Sequence, residues 1–289
     1  MSGYRRLKEF FRSRAAGGIA LAFSGGVDSL LLLEVLRLLR QEEPFPLAAM
    51  TIHSPFHREE ETAAAGEAAA RADIEWVRID CDLLADPAVR ENPPDRCYRC
   101  KRRIFSSVLA EAAARGLRTV VDGTNADDLG VWRPGVRALR ELGVLSPLAE
   151  LGISKAEVRA IAAELGMKEA DKPASPCQAT RFPYGTTLTP EALRLVAEGE
   201  ALLRQVVPEA RDLRLRSSGE LARIEVPLAQ LQQVVARREA IVSGLKQLGF
   251  VYITLDLEGF RSGSMDRAKS GSTTGKESSP CQSDSRKFF

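Results

Sequence analysis

Hydrophobic and polar positions change in regular blocks along the first part of the chain. Short apolar runs at residues 18–23, 47–54, 75–81 and 118–125 have the length of buried strands. The longer stretches between them place apolar residues on one face and charged residues on the other, as amphipathic helices do. Strands that alternate with helices predict a parallel sheet with helices on its faces. We therefore predict an α/β unit over residues 1–170.

The pattern changes after about residue 186, where the order becomes helix, strand, strand, helix, strand. Thr189 has the side chain of a helix N-cap, and Pro190 suits the first helical position. A Ser-Gly-Glu stretch at 218–220 separates two alternating runs, as a hairpin turn does. This order predicts a small α+β domain over residues 189–262. Its elements are residues 190–207, 212–217, 221–226, 228–249 and 250–259.

Two segments lack this periodicity. Residues 171–188 carry a cysteine between prolines and polar residues, so we expect a loop in the active site, because loops on rigid scaffolds commonly carry chemistry. Residues 263–289 consist mainly of Ser, Gly, Lys and Thr, which predicts a disordered tail that contains Cys281.

Composition narrows the class of protein. The chain has 289 residues, and 41 basic against 39 acidic residues give a net charge of +2, which does not favour stable binding of nucleic acid. No apolar run approaches the roughly 20 residues of a membrane span, and no signal-peptide core follows the N-terminus. Five scattered cysteines argue against a disulfide framework. We predict a cytoplasmic protein.

The loop after the first strand carries the most specific local signal. Its glycines let the backbone turn and let amide groups approach a ligand, and the helix that follows offers its positive end to phosphate. The Lys-Ser/Thr ending of a Walker loop is absent. The candidate nucleotide-binding residues are Ser24, Gly25, Gly26, Val27, Asp28 and Ser29.

A second polar loop follows the fourth strand. Gly123, Thr124 and Asn125 occur there, in the stretch VDGTNADD. Ligands of open α/β sheets bind beyond the carboxyl ends of the strands. We therefore expect these residues to lie beside the first loop and to contribute to the same nucleotide site.

Three cysteines form the other candidate site. Cys97 and Cys100 lie three apart before a helical pattern, and two thiols alone cannot complete a four-ligand metal site. Cys177 supplies a third thiol, and Arg181 lies four residues further on, where it could hold a phosphate or carboxylate through two hydrogen bonds. A metal site, a sulfur relay and an ordinary turn are all open at this point.

Taken together, four motifs resemble a known family. The SGGVDS loop matches the S-G-G-x-D-S signature of the N-type ATP pyrophosphatases, also called PP-loop enzymes. With ENPPDRCYRCK, DKPASPCQATRFPYGTTLT and YITLDLEGFRSGSM, it resembles the LarE family over roughly residues 5–265. Members of that family are ATP-dependent sulfurtransferases that make the nickel-pincer cofactor of lactate racemase.

The resemblance implies a reaction and a set of binding residues. The family's substrate is pyridinium-3,5-biscarboxylic acid mononucleotide, whose carboxylates are adenylated by ATP and then converted to thiocarboxylates. By resemblance, residues 24–29 would cradle pyrophosphate, with Asp28 acting through Mg²⁺. Arg214 and Arg261 would clamp the substrate phosphate, with Glu225 holding one of them in place.

The family also implies a source of sulfur. One branch sacrifices the sulfur of a single cysteine at the Cys177 position, and the other holds a 4Fe–4S cluster on three cysteines. Cys97, Cys100 and Cys177 fit the cluster branch, whose open fourth iron carries a sulfide for delivery. Sacrifice of Cys177, a zinc site and inert thiols are the alternatives. Glu200 would be a family metal-binding carboxylate, and the family's hexamer predicts a homo-oligomer.

Competing functions belong to three classes. A tRNA thiolase of the PP-loop class would need a basic surface and often further zinc-binding cysteines, which the near-neutral charge and five cysteines do not favour. An ammonia-using ligase such as NAD or GMP synthase would leave Cys97 and Cys100 unexplained. A non-catalytic nucleotide or metal sensor would not need an intact pyrophosphate loop.

Overall fold

The computed structural model describes most of the chain. The described residues are 2–129, 134–171, 176–210 and 212–261. The predicted tail, 263–289, with Cys281, lies outside them, as do residues 172–175 of the predicted cysteine-bearing loop. The boundaries predicted between the domains stay a prediction.

Four strands form a parallel sheet in the described part of the first unit. They are β1 Ile19–Ala22, β2 Leu47–His53, β3 Glu75–Asp80 and β4 Thr119–Val121. Their order is β3-β2-β1-β4, with Ile19 opposite Leu47 on one side and Thr119 on the other. A further parallel bridge joins Val121 to Leu145. The predicted α/β class is confirmed, and the carboxyl ends of β1 and β4 lie side by side.

Helices cover both faces of this sheet. They are α1 Gly3–Arg12, α2 Val27–Glu42, α3 Glu59–Arg71, α4 Pro87–Arg90, α5 Arg96–Ala114, α6 Pro134–Glu141, α7 Pro147–Glu150 and α8 Lys155–Glu164. Successive residues of β1 point to opposite faces. Ile19 and Leu21 join the core with α1, α2 and α8, whereas Ala20 joins the core with α5 and α6. Burial on both faces explains why the strands read as continuous apolar runs.

The second unit is a small α+β structure. Its elements are α9 Pro190–Val206, β5 Arg214–Ser218, β6 Leu221–Glu225, α10 Leu231–Ala236, α11 Arg238–Gln247 and β7 Tyr252–Leu255. The described strands form a sheet in the order β5-β6-β7, with the predicted hairpin between β5 and β6. Thr189 caps α9 through a hydrogen bond of 3.2 Å from the Ala192 amide, and Pro190 opens the helix. The prediction of a second, smaller α+β unit is confirmed.

One predicted helix is wrong in detail. The single helix expected over 228–249 is interrupted at Arg237, whose φ of −101° and ψ of 17° separate α10 from α11. The Arg237 guanidinium pairs with Glu209 at 2.8 Å. Glu209 lies 28 residues earlier in the chain, so the periodicity of residues 228–249 could not predict this contact.

Two apolar clusters hold the second unit in place. The first lies between α9, α11 and the small sheet and includes Leu203, Leu215 and Leu245. The second joins the two units, because Phe56 and Leu83 of the first unit pack with residues of α9 and of the Cys177 segment. The cysteines therefore lie where the two units meet.

Gly199 provides a test of the packing under α9. A Cβ added there would overlap Leu215 Cδ2 and would lie 3.3 Å from Leu245 Cδ2. Glycine to alanine inside a helix normally stabilises by roughly 0.5–1 kcal/mol. At Gly199 we expect the opposite sign, a loss of about 1–3 kcal/mol, because an overpacked core must shift. Urea unfolding of Gly199→Ala checks this, and an increase in stability would contradict the described packing.

Candidate active site

The loop between β1 and α2 is built to receive an anion. Gly25 has φ of +68°, a left-handed conformation that suits glycine. Gly26 is the N-cap of α2 and has no side chain to cap the helix, so the first amides and the positive helix end face the loop. Ser24 Oγ and Ser29 Oγ lie 3.2 Å apart and add two hydroxyl groups. Val27, by contrast, packs its side chain in the core.

The second polar loop lies against the first, as the sheet order requires. A Cβ on Gly123 would lie 3.2 Å from the amide of Ser29 and 3.3 Å from Asp28 Cβ, so a larger residue would press the two loops apart by a few tenths of an ångström. Asn125 Nδ2 donates to Asp28 Oδ1 at 3.1 Å. The two loops therefore form one site around the Asp28 carboxylate.

A cavity of about 320 Å³ opens between these loops. That volume is at the lower end of the range of ligand sites. Ser24, Asp28, Ser29, Gly123 and Thr124 line it, as the sequence predicted for a nucleotide site. Other lining residues come from elements distant in sequence, among them Thr51, His57, Glu61, Lys101, Ile104, Phe105, Asp122 and Asp128.

Two lysines at this site had no signal in the sequence analysis. Lys155, the first residue of α8, forms an ion pair with Asp28 Oδ2. Lys101 lies in α5, lines the cavity and approaches the buried Asp122 carboxylate at 3.7 Å. Lys155 is 127 residues from Asp28, so only the packing of α8 beside the loop reveals this pair.

Cys97 and Cys100 lie in the N-terminal part of α5, and Cys177 lies close enough to influence Cys100 electrostatically. Cys97 and Cys100 occupy the first turns of that helix, and Cys177 directly precedes the 3₁₀ turn Gln178–Arg181. Cys100 and Cys177 pack against the same apolar cluster, which also contains the buried Cys81. All four thiols are free. The helix that lines the nucleotide cavity thus also carries two of the candidate sulfur ligands.

The thiols and one buried arginine influence each other electrostatically. Burial raises the pKa of Cys100, and the charges of Cys177 and Cys97 raise it further. Burial also raises the pKa of Cys177, although Arg96 opposes this. Arg96 Nη2 lies 3.4 Å from Cys97 Sγ. The free thiols of Cys100 and Cys177 are therefore protonated near neutral pH, whereas a bound metal would hold them as thiolates.

Similarity to a known domain and to known proteins shows the family of this chain. Residues 2–118 match the model of the PP-loop domain. The chain is 41% identical over 254 residues to an uncharacterized protein of Synechocystis sp., covering 86% of this chain and 91% of that one. It is 36% identical over 249 residues to the pyridinium-3,5-bisthiocarboxylic acid mononucleotide synthase of Lactiplantibacillus plantarum, covering 86% and 88%. The chain belongs to the LarE family.

A third relative extends the similarity to an archaeon. An uncharacterized protein of Methanocaldococcus jannaschii is 33% identical over 256 residues, covering 89% of this chain and 94% of that protein. With the PP-loop domain and the curated synthase, the prediction that this LarE-family chain is an ATP-dependent sulfurtransferase is confirmed. Across the described residues, no helix is both long and apolar enough to cross a membrane.

Glu200 lies in a different setting from the metal site that the LarE resemblance implied. Its carboxylate is almost fully buried and accepts from Arg181 Nε at 2.7 Å, Arg204 Nη2 at 2.7 Å and the Leu215 amide at 3.2 Å. Burial opposes its ionisation, but the hydrogen bond and charge of Arg181 outweigh burial and lower the pKa of Glu200. Arg181 likewise has a carboxylate partner here in Glu200. Metal binding by Glu200 and phosphate binding by Arg181 stay predictions.

Single metal ions in proteins are held by side chains that converge on one point. Over the described part of this LarE-family chain, no three His, Cys, Asp and Glu side chains form a group that could hold one metal ion. A 4Fe–4S cluster binds its thiolates through different irons, so its ligands need not converge on one point.

Two residues of the predicted substrate site, Arg214 and Glu225, lie on the small sheet, whereas Arg261 follows its last strand. Arg214 and Arg216 are both buried there, while Leu213 and Leu215 point into the core. Burial and the charge of Arg181 lower the pKa of Arg214 to about 10. The Phe260 ring lies 5.0 Å from the Arg214 guanidinium, and Arg261 is the next residue in the chain. Arg261 forms an ion pair with Glu258.

A second cavity adjoins the first in this LarE-family site. Its volume is about 680 Å³, and it shares His57 and Glu61 with the nucleotide cavity. Gln178, the neighbour of Cys177, lines it together with residues of α9. The second cavity therefore borders both the nucleotide cavity and the cysteine segment, and it is large enough for a second ligand.

Proposed function

We propose that the protein uses ATP to adenylate the carboxylates of pyridinium-3,5-biscarboxylic acid mononucleotide and then converts them to thiocarboxylates. The observation that supports this best is that α5 contributes residues to both the nucleotide cavity and the cysteine site. That helix lines the nucleotide cavity with Lys101 and carries Cys97 and Cys100 at its N-terminal end. An activated carboxylate formed in the cavity would thus arise close to the thiols.

The first step consumes ATP. A carboxylate oxygen of the substrate attacks the α-phosphorus, the bond to the bridging oxygen breaks, and pyrophosphate leaves. Ser24, Ser29 and the first amides of α2 hold the leaving pyrophosphate, and Asp28 holds its Mg²⁺. Lys101 adds positive charge where negative charge builds up on the phosphates.

The second step transfers sulfur. A sulfur nucleophile attacks the acyl carbon, and the carbon–oxygen bond to AMP breaks. The bond between the transferred sulfur and its donor then breaks and leaves the thiocarboxylate; if the donor is Cys177, this is its Cβ–Sγ bond, and loss of the Cα proton leaves dehydroalanine. AMP is a much better leaving group than hydroxide, which is why the first step is needed. A second round on the other carboxylate gives the bis-thiocarboxylate product, in accordance with the name of the Lactiplantibacillus plantarum relative.

The small sheet would hold the mononucleotide. Arg214 and Arg261 clamp its phosphate in this proposal, which is supported by the Phe260 ring, the neighbour of Arg261, lying 5.0 Å from the Arg214 guanidinium. Glu225 is fully buried and accepts hydrogen bonds from Arg216, so it fixes Arg216 beside the clamp.

We further propose that Cys97, Cys100 and Cys177 hold a 4Fe–4S cluster. The donor set fits such a group: the three thiols are free, Cys100 and Cys177 pack in one apolar cluster, and the buried Arg96 guanidinium would offset the charge of bound thiolates. When bound, the cluster would supply a sulfide on the iron that no protein thiolate occupies. The alternative is that Cys177 itself gives up its sulfur.

Cys97→Ala separates the two sources of sulfur. After anaerobic treatment with iron and sulfide, we expect the variant to lose the absorption of the cluster and all turnovers beyond the first. Thiocarboxylate formed per chain, metal content and the mass of the Cys177 peptide are measured together. If Cys97→Ala kept both the absorption and multiple turnover, the cluster proposal would be abandoned. Loss of H₂S from Cys177 in the wild type would favour sacrifice.

A further inference from the structure

The main chain around Cys177 is held by three buried arginines from three places. Arg181 Nη1 donates to the carbonyls of Pro176 at 3.0 Å and of Cys177 at 3.4 Å. Arg96, from α5, donates to the Ala179 carbonyl at 3.0 Å. Arg216, from β5, donates to the Thr180 carbonyl at 2.8 Å. Residues 176–180 are thus fixed both to the PP-loop unit and to the small sheet.

Arg216 is itself held rigidly. Its Nε and Nη2 both donate to Glu225 Oε2, at 3.0 and 2.8 Å, while Nη1 points to the Thr180 carbonyl. Glu225 has no exposed surface and Arg216 has 8%. A buried ion pair loses strongly if one member moves away, because the other charge is left uncompensated. Arg216 therefore gives the Cys177 segment a fixed distance from the small sheet.

We propose that Arg216 is a positioning residue that sets the placement of Cys177 relative to a substrate bound on the small sheet. This deepens the proposed function and rests on it. Arg216 forms and breaks no covalent bond in this role. A sulfur atom must reach the acyl carbon at near-attack distance, and a misplacement of about 1 Å can cost roughly a hundredfold in rate.

The test separates the two chemical steps in single turnover. For Arg216→Ala we expect pyrophosphate release with ATP and mononucleotide to stay within about threefold of the wild type, while thiocarboxylate formation falls roughly 10- to 100-fold. Arg223→Ala is the matched control, because Arg223 also donates to Glu225 and pairs with Asp256. The control should leave both steps nearly unchanged.

A structural readout accompanies the kinetics. Amide hydrogen exchange in the peptide covering residues 176–182 should rise in Arg216→Ala and not in Arg223→Ala. If Arg216→Ala does not fold, Arg216→Lys keeps the charge beside Glu225 but cannot bridge to Thr180 in the same way. In Arg216→Lys, thiocarboxylate formation should again fall while pyrophosphate release is retained, but by a smaller factor than in Arg216→Ala.

Three results would overturn the proposal. Unchanged exchange in the folded Arg216 variant would show that Arg216 does not fix the segment. A parallel fall of both steps through a raised KM for the mononucleotide would make Arg216 a substrate-binding residue. If Arg216→Ala and Arg223→Ala slowed thiocarboxylate formation equally, the loss would come from destabilisation of the small sheet and not from the contact with Thr180. If the wild type made no thiocarboxylate, the proposed function would fail, while the exchange contrast would still decide whether Arg216 holds the segment.

Discussion

Cys177→Ala is expected to abolish thiocarboxylate formation and to leave pyrophosphate release intact. Under either source of sulfur, the thiol of Cys177 is needed for the second step, whereas adenylation uses the loop after β1 and needs no thiol. Removal of a group that acts at the reacting centre typically costs roughly a thousandfold or more. Single-turnover release of pyrophosphate and mass spectrometry of the mononucleotide measure the two steps separately.

Cys81→Ala is the matched control for this result. Cys81 is a free, buried cysteine in the same apolar cluster, and it follows β3 rather than the cysteine segment. We expect it to keep sulfur transfer at close to the wild-type rate, with a small loss of stability from the lost packing. If Cys177→Ala still formed thiocarboxylate over many turnovers, sulfur delivery through this segment would be wrong.

Asp28→Asn is expected to remove pyrophosphate release, and thiocarboxylate formation with it. The substitution keeps the size of the side chain but removes the charge that pairs with Lys155 and would hold Mg²⁺. Loss of such a preorganised charge costs roughly a hundred- to a thousandfold. The measurement is pyrophosphate release as a function of Mg²⁺ and ATP concentration.

Glu34→Gln provides the control on the same helix. Glu34 pairs with Arg37 on α2, two turns beyond the loop, and does not line the nucleotide cavity. It should leave the reaction unchanged. Pyrophosphate release at the wild-type rate in Asp28→Asn would remove Asp28 from the Mg²⁺ site. Recovery at high Mg²⁺ would instead support that site.

Most of the elements and the nucleotide loop could be predicted from the sequence. Buried strands and amphipathic helices have periodicities that neighbouring residues reveal, and Thr189 with Pro190 marked the start of α9 for the same local reason. The two glycines of the SGGVDS loop signalled a turn that approaches a ligand, and Gly25 has the left-handed backbone that this requires. The family resemblance came from motifs of the same local kind.

The tertiary structure alone decided the partners of these residues. Lys155 meets Asp28, and Arg216 meets the Thr180 carbonyl, only because α8 and β5 pack beside elements far away in the chain. The same holds for Glu200. Its carboxylate was predicted to bind a metal, and in the structure it accepts hydrogen bonds from Arg181 and Arg204. Periodicity and capping depend on residues within a few positions, whereas ion pairs and cavity walls depend on which elements the fold brings together. The sequence could therefore identify the chemical groups, and only the packing decided which of them act on one another.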